Sequence, residues 1–487
     1  MVFNSLHFAG FFLVVYGLYR VLPHRPQNWL LLIASYYFYA AWDWRFLGLL
    51  VASTVVDFCC GLYIASRESP HQRKIALIVS IAFNLSMLGF FKYFNFFAAN
   101  LHGLFGLFGW KVDFITLRVL LPIGISFYTF ITMSYVIDVY RRHIEPTRNF
   151  LEFAVFVAYF PHLVAGPILR ASLLLPQIAA RRTISRSQMV EGAWLVGWGL
   201  FKKMFVADNL ARVADAVFAA GGHPSGLEVL LGTYAFAFQI YGDFSGYSDI
   251  ARGVSKLMGI ELNINFRFPY FVRSPQEFWQ HWHISLSTWL RDYVFLPLSY
   301  SLSRTLDGVR WLGLRDDFWI YATGTMITMI AAGLWHGAAW NFVLWGVYQG
   351  LLLVAFVLVG GRKRRRRPRG AGGSQLARAL GMAAMFHLTC YGWLIFRAKS
   401  LPQIGDLTAD LFARFHPSID VLAARGLPLL FYATPLLVVH AFEAAHDDLA
   451  VVLRWPLLVR YGVWATMIYL IVLFGDFAGA QFIYFQF

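Results

Sequence analysis

A histidine inside a long apolar stretch is the clearest candidate for chemistry in this sequence. His336 lies in the segment 333–340 (GLWHGAAW), with Gly333 and Gly337 on either side. An ionisable side chain is costly in such a stretch and is therefore a functional hypothesis, and neutral imidazole can accept the proton of an alcohol. Glycine lets another backbone or a ligand come close. His336 is predicted to be a general base; the alternative is a histidine that ties two helices together by a hydrogen bond.

A second set of chemical groups lies in the segment 277–293 (EFWQHWHISLSTWLRDY). If this segment is helical, side chains at steps of four share one face, namely Trp279, His283, Ser287 and Arg291. Imidazole, hydroxyl and guanidinium on one face could line a polar path. His281 and His283 would point away from each other, which argues against a metal pair. An interfacial amphipathic helix or a structural hydrogen-bond cluster would explain the same pattern.

A third polar segment, 239–249 (QIYGDFSGYSD), ends a predicted span and contains Asp243, Ser245 and Asp249. Together with a histidine, these residues could form a Ser–His–Asp triad. The segment lacks the G-x-S-x-G pattern of a nucleophile elbow. A structural or substrate-contact role is therefore favoured over a serine nucleophile.

Other reactive residue types are weaker signals. His162 and His387 lie in apolar segments and are more typical of core histidines whose hydrogen bonds are satisfied. Cys59, Cys60 and Cys390 have the spacing of neither a disulfide framework nor a metal site. We therefore expect no bound metal.

The elements that position these groups are predicted to be transmembrane helices. Of the 487 residues, 59% are hydrophobic and 14% are charged, against about 25% charged residues in soluble proteins; the mean hydropathy is +0.57. A soluble enzyme is excluded. At about 20 apolar residues per span, the sequence predicts an all-α polytopic integral membrane protein of roughly 11–13 transmembrane helices in one domain, 1–487. The more polar, aromatic-rich stretch 248–317 is predicted to form re-entrant or interfacial helices around a chamber.

The net charge of +15, from 41 Lys and Arg against 26 Asp and Glu, is interpreted as a topology signal. Lys and Arg collect in the cytoplasmic loops of membrane proteins. The densest cluster is the basic loop 361–374, which we expect to be cytoplasmic and to contact membrane lipids. No nucleic-acid partner is expected.

Seven short segments stand out in order along the chain: 28–39 (NWLLLIASYYFY), 121–140 (LPIGISFYTFITMSYVIDVY), 160–170 (FPHLVAGPILR), 243–249 (DFSGYSD), 277–293, 333–338 (GLWHGA) and 392–397 (GWLIFR). This set resembles the membrane-bound O-acyltransferase (MBOAT) family, in particular its bacterial branch, typified by the membrane subunit of the alginate O-acetylation machinery. Each segment is short, but the ordered set is specific and covers most of the chain. The motif-bearing core runs over about 28–400, and C-terminal helices are predicted at 427–475.

The resemblance implies a ring of transmembrane helices around a central tunnel, with acyl transfer as the reaction. His336 matches the family's catalytic histidine. His283 matches its second position and would position His336 or polarise the acyl carbonyl. The sequence departs from the family pattern at Gln280-His281, where the family leads us to expect a pair of basic residues. The candidate substrate-binding residues are Trp335, Trp279, Ser287, Arg291, Asp243, Ser245 and Asp249.

The resemblance also implies the donor, the partners and the location. The donor would be acetyl-CoA or an acyl-carrier thioester, with no permanently bound cofactor, and the acceptor an exported alginate-like or other polysaccharide. The protein would lie in the bacterial cytoplasmic membrane beside a periplasmic SGNH-type acetyltransferase and polysaccharide export machinery. Alternatives are an acceptor such as peptidoglycan, teichoic acid or a lipid, or a transporter with proton-relay histidines. Inverted repeats would favour a transporter, and the sequence shows none.

Overall fold

The computed structural model describes residues 1–110, 120–164, 166–219, 223–308, 310–361, 375–477 and 482–483. The regular secondary structure of these residues is helical, apart from an isolated bridge between Trp311 and Leu314. This confirms the prediction of an all-α polytopic membrane protein. Except for its first residue, the predicted basic loop 361–374 lies outside the described residues.

Seven helical stretches of the described chain are long and apolar enough to cross a membrane. They are fewer than the roughly 11–13 spans that the sequence predicts. The stretch His24–Ser66 has 43 residues and comprises two helices of 20 residues, His24–Asp43 and Leu47–Ser66, each long enough for one span. The number of spans, the ring and the tunnel stay predictions.

The chain folds into two compact units. The first unit is Met1–Gly197 with Tyr247–Asn263, and the second is Trp198–Gly246 with Ile264–Phe487. The helices of the first unit are Leu6–Val21, His24–Asp43, Leu47–Ser66, Pro70–Leu88, Phe94–Leu107, Ile125–Tyr140, Phe150–Ala158, Phe160–Leu163, Ala171–Ala179 and most of Arg186–Leu200. Those of the second unit are Asp208–Phe218, Pro275–His281, Ile284–Leu290, Leu296–Thr305, Asp316–His336, Trp340–Phe356, Gln375–Arg397, Leu401–Ala413, Ile419–Val421, Leu427–His446 and Leu457–Phe474. The long helix Gly226–Leu257 contributes residues 226–246 to the second unit and 247–257 to the first.

A closed polar network lies in the core of the first unit. Asp57 accepts hydrogen bonds from Ser80 Oγ (2.5 Å) and Asn84 Nδ2 (2.8 Å), and the amide oxygen of Asn84 accepts one from Ser53 Oγ (2.9 Å). All four side chains are buried. Buried polar groups need such partners, so this network joins the helices Leu47–Ser66 and Pro70–Leu88.

Close helix packing places His336 in the second unit. The helices Asp316–His336 and Trp340–Phe356 pack along one another as an antiparallel hairpin. A Cβ atom on Gly333 would collide with the carbonyl oxygen of Phe342, and one on Gly337 with the Phe342 ring. The two glycines beside the histidine are therefore required by the approach of the second helix.

The segment that carries His283 is not one continuous helix, so the single-helix interpretation of 277–293 is wrong. Ser274 Oγ accepts the N–H of Glu277 and Pro275 occupies the first turn, which starts the helix Pro275–His281. The next helix, Ile284–Leu290, begins after His283, whose φ of 43° and ψ of 52° are left-handed. The break places His283 at a sharp turn between two short helices.

Candidate active site

Aromatic rings surround His336 at the C-terminal end of its helix. Its imidazole is buried and packs with ring centroids 4.9 Å from Trp335, 5.1 Å from Trp345 and 5.2 Å from Phe396. The three interplanar angles are 77°, 87° and 80°, which is edge-to-face packing. The ring orientation is thus fixed by contacts from three helices.

His283 is fully buried at its turn. Its ring lies 4.6 Å from that of Phe244 and 6.3 Å from that of Phe266, and Nδ1 is 3.2 Å from Asn265 Oδ1. Burial lowers the pKa of the His283 imidazole to about 3, because a charged ring loses its hydration there. His283 is therefore neutral at pH 7.

The structure brings the two histidines to the same tryptophan. The Trp335 ring packs 4.9 Å from His336 and 5.8 Å from His283. Two imidazoles from segments more than 50 residues apart in sequence therefore share one buried aromatic wall. Such an enclosure limits the access of water to both rings.

A cavity of about 170 Å³ lies in the second unit and includes three of the predicted residues. Trp279, Ser287 and Arg291 line it together with Tyr321, Thr325 and Thr328 from the helix that ends in His336. The Trp279 ring packs 5.9 Å from that of Trp345, which in turn packs on His336. Three of the four residues of the predicted stripe therefore line one cavity, whereas His283, at the turn between the helices, is not among its lining residues.

The polar groups of the segment 239–249 are held elsewhere. Asp243 lies 2.8 Å from Lys203 Nζ, and its second oxygen accepts the N–H of Ile483 at 2.7 Å. Asp249, in the first unit, pairs with Arg252 at 3.1 Å. Ser245 Oγ is buried and has no hydrogen-bond partner among the described residues. The described part of the chain thus contains no Ser–His–Asp triad at Ser245, and none of these three predicted contacts lines the cavity described above.

Several residues of this region were missed by sequence reasoning. Asn265 contacts His283 from 18 positions upstream, a separation with no motif spacing. Trp345 and Phe396 touch His336 from other helices; Phe396 belongs to the segment 392–397, so an aromatic residue in a family motif was the available signal. No group of three His, Cys, Asp or Glu side chains among the described residues could hold a metal ion.

Comparisons with known proteins show which family the chain belongs to. Residues 36–314 match MBOAT, the membrane-bound O-acyltransferase family; they include His283 but not His336. A probable alginate O-acetylase of Azotobacter vinelandii is 40% identical over 441 residues, 90% of this chain and 83% of that protein. One of Pseudomonas aeruginosa is 41% identical over 417 residues, 85% of this chain and 75% of that protein. A peptidoglycan O-acetyltransferase of Helicobacter pylori is 32% identical over 425 residues, 82% of this chain and 76% of that protein.

The family match covers more than half of the chain, and the similarity to these relatives extends over most of it. The apolar helices, the buried histidines and the ordered motifs fit the same class of enzyme. This chain therefore belongs to the membrane-bound O-acyltransferase family and is a multi-pass membrane O-acyltransferase.

Proposed function

We propose that this protein is an acetyltransferase of the bacterial cytoplasmic membrane that takes acetyl groups from acetyl-CoA for the O-acetylation of an exported polysaccharide. The observation that carries the proposal is the packing of His336 and His283 against Trp335. The acetylating relatives support the choice of acyl group.

His336 acts as the general base. It accepts the proton of the acceptor hydroxyl while the hydroxyl oxygen attacks the thioester carbonyl carbon. The C–O bond forms, the C–S bond breaks, and the proton passes from His336 to the departing thiolate. A thioester is already reactive toward a hydroxyl group, so we expect no resident metal or cofactor. Base catalysis of this kind contributes about 10²–10⁴-fold to the rate.

His283 assists at the same wall in one of two ways. It positions His336 or the acceptor hydroxyl by accepting a hydrogen bond, or it polarises the acyl carbonyl by donating one. Both need an imidazole held against Trp335, which is the observed contact.

The cavity beside Trp279 receives the thioester arm of the donor. Its large apolar side chains suit a flexible chain, and the buried Nε1–H of Trp279, which has no hydrogen-bond partner among the described residues, can donate to an amide oxygen. Arg291 lines the same cavity, and its side chain is 60% exposed. A cation at that position can meet the phosphates of acetyl-CoA.

The acceptor is an alginate-like or other exopolysaccharide, since the alginate O-acetylases are about 40% identical to this chain. A periplasmic SGNH-type acetyltransferase and the export machinery would complete the pathway. Peptidoglycan is the second candidate, favoured by the Helicobacter relative that covers 82% of this chain.

The test is acetyl-CoA turnover by the purified protein in nanodiscs. With radiolabelled acetyl-CoA, the wild type should release free CoA, and His336→Ala should not. His387→Ala is the matched control, because His387 is exposed and bonds Tyr234 and Ala383. No CoA release and no label on polysaccharide or peptidoglycan oligomers would contradict the proposal. Label on one polymer and not the other decides between the acceptors.

A further inference from the structure

Three contacts converge on the amide oxygen of Asn265, a buried side chain just upstream of the His283 turn. The backbone N–H of Ser285 donates to it at 3.2 Å and Ser285 Oγ at 2.9 Å. A backbone N–H can only donate, so the amide atom facing it is the oxygen and not the NH₂ group. His283 Nδ1 lies 3.2 Å from that same oxygen.

This convergence determines which nitrogen of His283 carries the proton. A carbonyl oxygen can only accept, so Nδ1 is the donor. In a neutral imidazole the other nitrogen, Nε2, then holds a lone pair. Asn265 also fixes the backbone of the turn, because its main-chain carbonyl oxygen accepts the N–H of Ile284 at 2.9 Å. That contact holds His283 in a left-handed conformation, which is unfavourable for a residue other than glycine.

We propose that Asn265 is a positioning residue that holds His283 as its Nδ1–H tautomer, so that Nε2 serves the reaction as a hydrogen-bond acceptor. The inference rests on the proposed function for its catalytic part, whereas the tautomer itself does not depend on it. It selects between the two roles of His283: a lone pair can hold an acceptor hydroxyl or the ring N–H of His336. It cannot polarise a carbonyl oxygen.

The first experiment reads the tautomer directly. ¹⁵N NMR of histidine-labelled protein in nanodiscs, with the His283 signals assigned from their loss in His283→Gln, should show a protonated Nδ1 and an unprotonated Nε2. Asn265→Leu, which offers no acceptor, should abolish this pattern for His283. A protonated Nε2 in the wild type would overturn the inference. Because no turnover is measured, this result is independent of whether acetyl-CoA is the donor.

The second experiment tests the role by pH. Asn265→Asp keeps the acceptor and adds a carboxylate beside Nδ1–H, which raises the pKa of His283 by about 1–3 units from its value near 3. If the lone pair is required, activity falls as pH falls through this raised pKa. Because the raised pKa is expected at about 4–6, activity relative to wild type should fall about twofold or more between pH 8 and pH 4. If His283 donates to the carbonyl, protonation would preserve or raise the activity, and the inference fails.

The substitution Asn265→Asp leaves the other charged and titratable groups near His283 in place. The elements packed against His283 bring Asp243 with its partner Lys203, His336 beyond Trp335, and His281, which bonds the Arg267 carbonyl oxygen. These groups titrate in both proteins, so their effect on the pH profile cancels in the ratio of variant activity to wild-type activity. Asn149→Asp is the matched control, since Asn149 is an exposed helix cap that Asp can replace; its ratio should not vary with pH.

Discussion

Two buried histidines of the second unit, His336 and His440, differ in what holds the imidazole. At His440, Nδ1 lies 2.5 Å from Glu443 Oε2 and Nε2 lies 2.9 Å from the hydroxyl of Tyr241. Both ring nitrogens are thus committed to protein partners. At His336, three aromatic rings pack edge-to-face around the imidazole.

The difference teaches that burial alone does not identify a catalytic histidine. The alternative for His336 is a histidine that joins two helices by a hydrogen bond. His440 has this arrangement, because its bond to Tyr241 links Leu427–His446 to Gly226–Leu257. A ring bonded at both nitrogens cannot take a substrate proton without breaking its own network. We therefore expect His440 to be a structural residue, whereas His336 is the proposed general base.

The largest expected effect separates the two histidines by activity. His336→Ala should lower kcat about 10²–10⁴-fold, because the general base is lost, with little change in melting temperature. His440→Ala should do the reverse: a lower melting temperature, with kcat per folded molecule within a few fold of wild type. CoA release and thermal unfolding of both variants in nanodiscs measure this. Equal losses of kcat would remove the distinction.

The next effect concerns stability. Glu443→Ala leaves the buried Nδ1–H of His440 without its acceptor, which costs about 1–3 kcal/mol of unfolding free energy. Asp406→Ala, at an exposed acidic residue, is the control and should be neutral. Denaturant unfolding in matched nanodiscs gives the comparison. If Glu443→Ala and Asp406→Ala unfold alike, the His440 network does not stabilise the fold.

The same comparison shows what the sequence could predict. An ionisable group in an apolar run is a local signal, and it selects His336 as a candidate without any knowledge of packing. Trp279, Ser287 and Arg291 were grouped by helical spacing and do line one cavity, even though the helix breaks at His283. The chain turns between two short helices at His283, and these three side chains still line the same cavity.

The contacts that were missed join distant segments. His440 bonds Tyr241 across 199 residues, and Trp345 reaches His336 through the packing of two helices. Asn265 and His283 meet because the chain turns back between them. Such pairs are decided by tertiary packing, which leaves no periodic trace in the sequence. The ion pair of Asp243 with Lys203 belongs to the same class.

A smaller effect concerns the cavity rather than the bases. Thr325→Leu places a bulkier apolar side chain in a space of about 170 Å³, and overpacking of this kind costs about 1–3 kcal/mol. We expect KM for acetyl-CoA to rise about tenfold, which corresponds to the lower part of that range, while kcat changes less. Thr323→Leu is the matched control on the same helix, because Thr323 does not line this cavity. An unchanged KM would mean that this cavity does not bind the donor.

The smallest effect distinguishes the exposed end of the cavity from its buried wall. Arg291 pairs with Asp292 at 2.7 Å and its side chain is 60% exposed, so water and salt weaken any contact that it makes with donor phosphate. Arg291→Ala should raise KM for acetyl-CoA about two- to fivefold, in keeping with exposed ion pairs worth up to about 1 kcal/mol. The increase should shrink as ionic strength rises, whereas that of Thr325→Leu should not, because steric exclusion is not screened. Arg304→Ala removes an exposed cation from the following helix and controls for net charge. An Arg291 effect that is insensitive to salt would mean that the side chain acts by packing along the cavity and not by its charge.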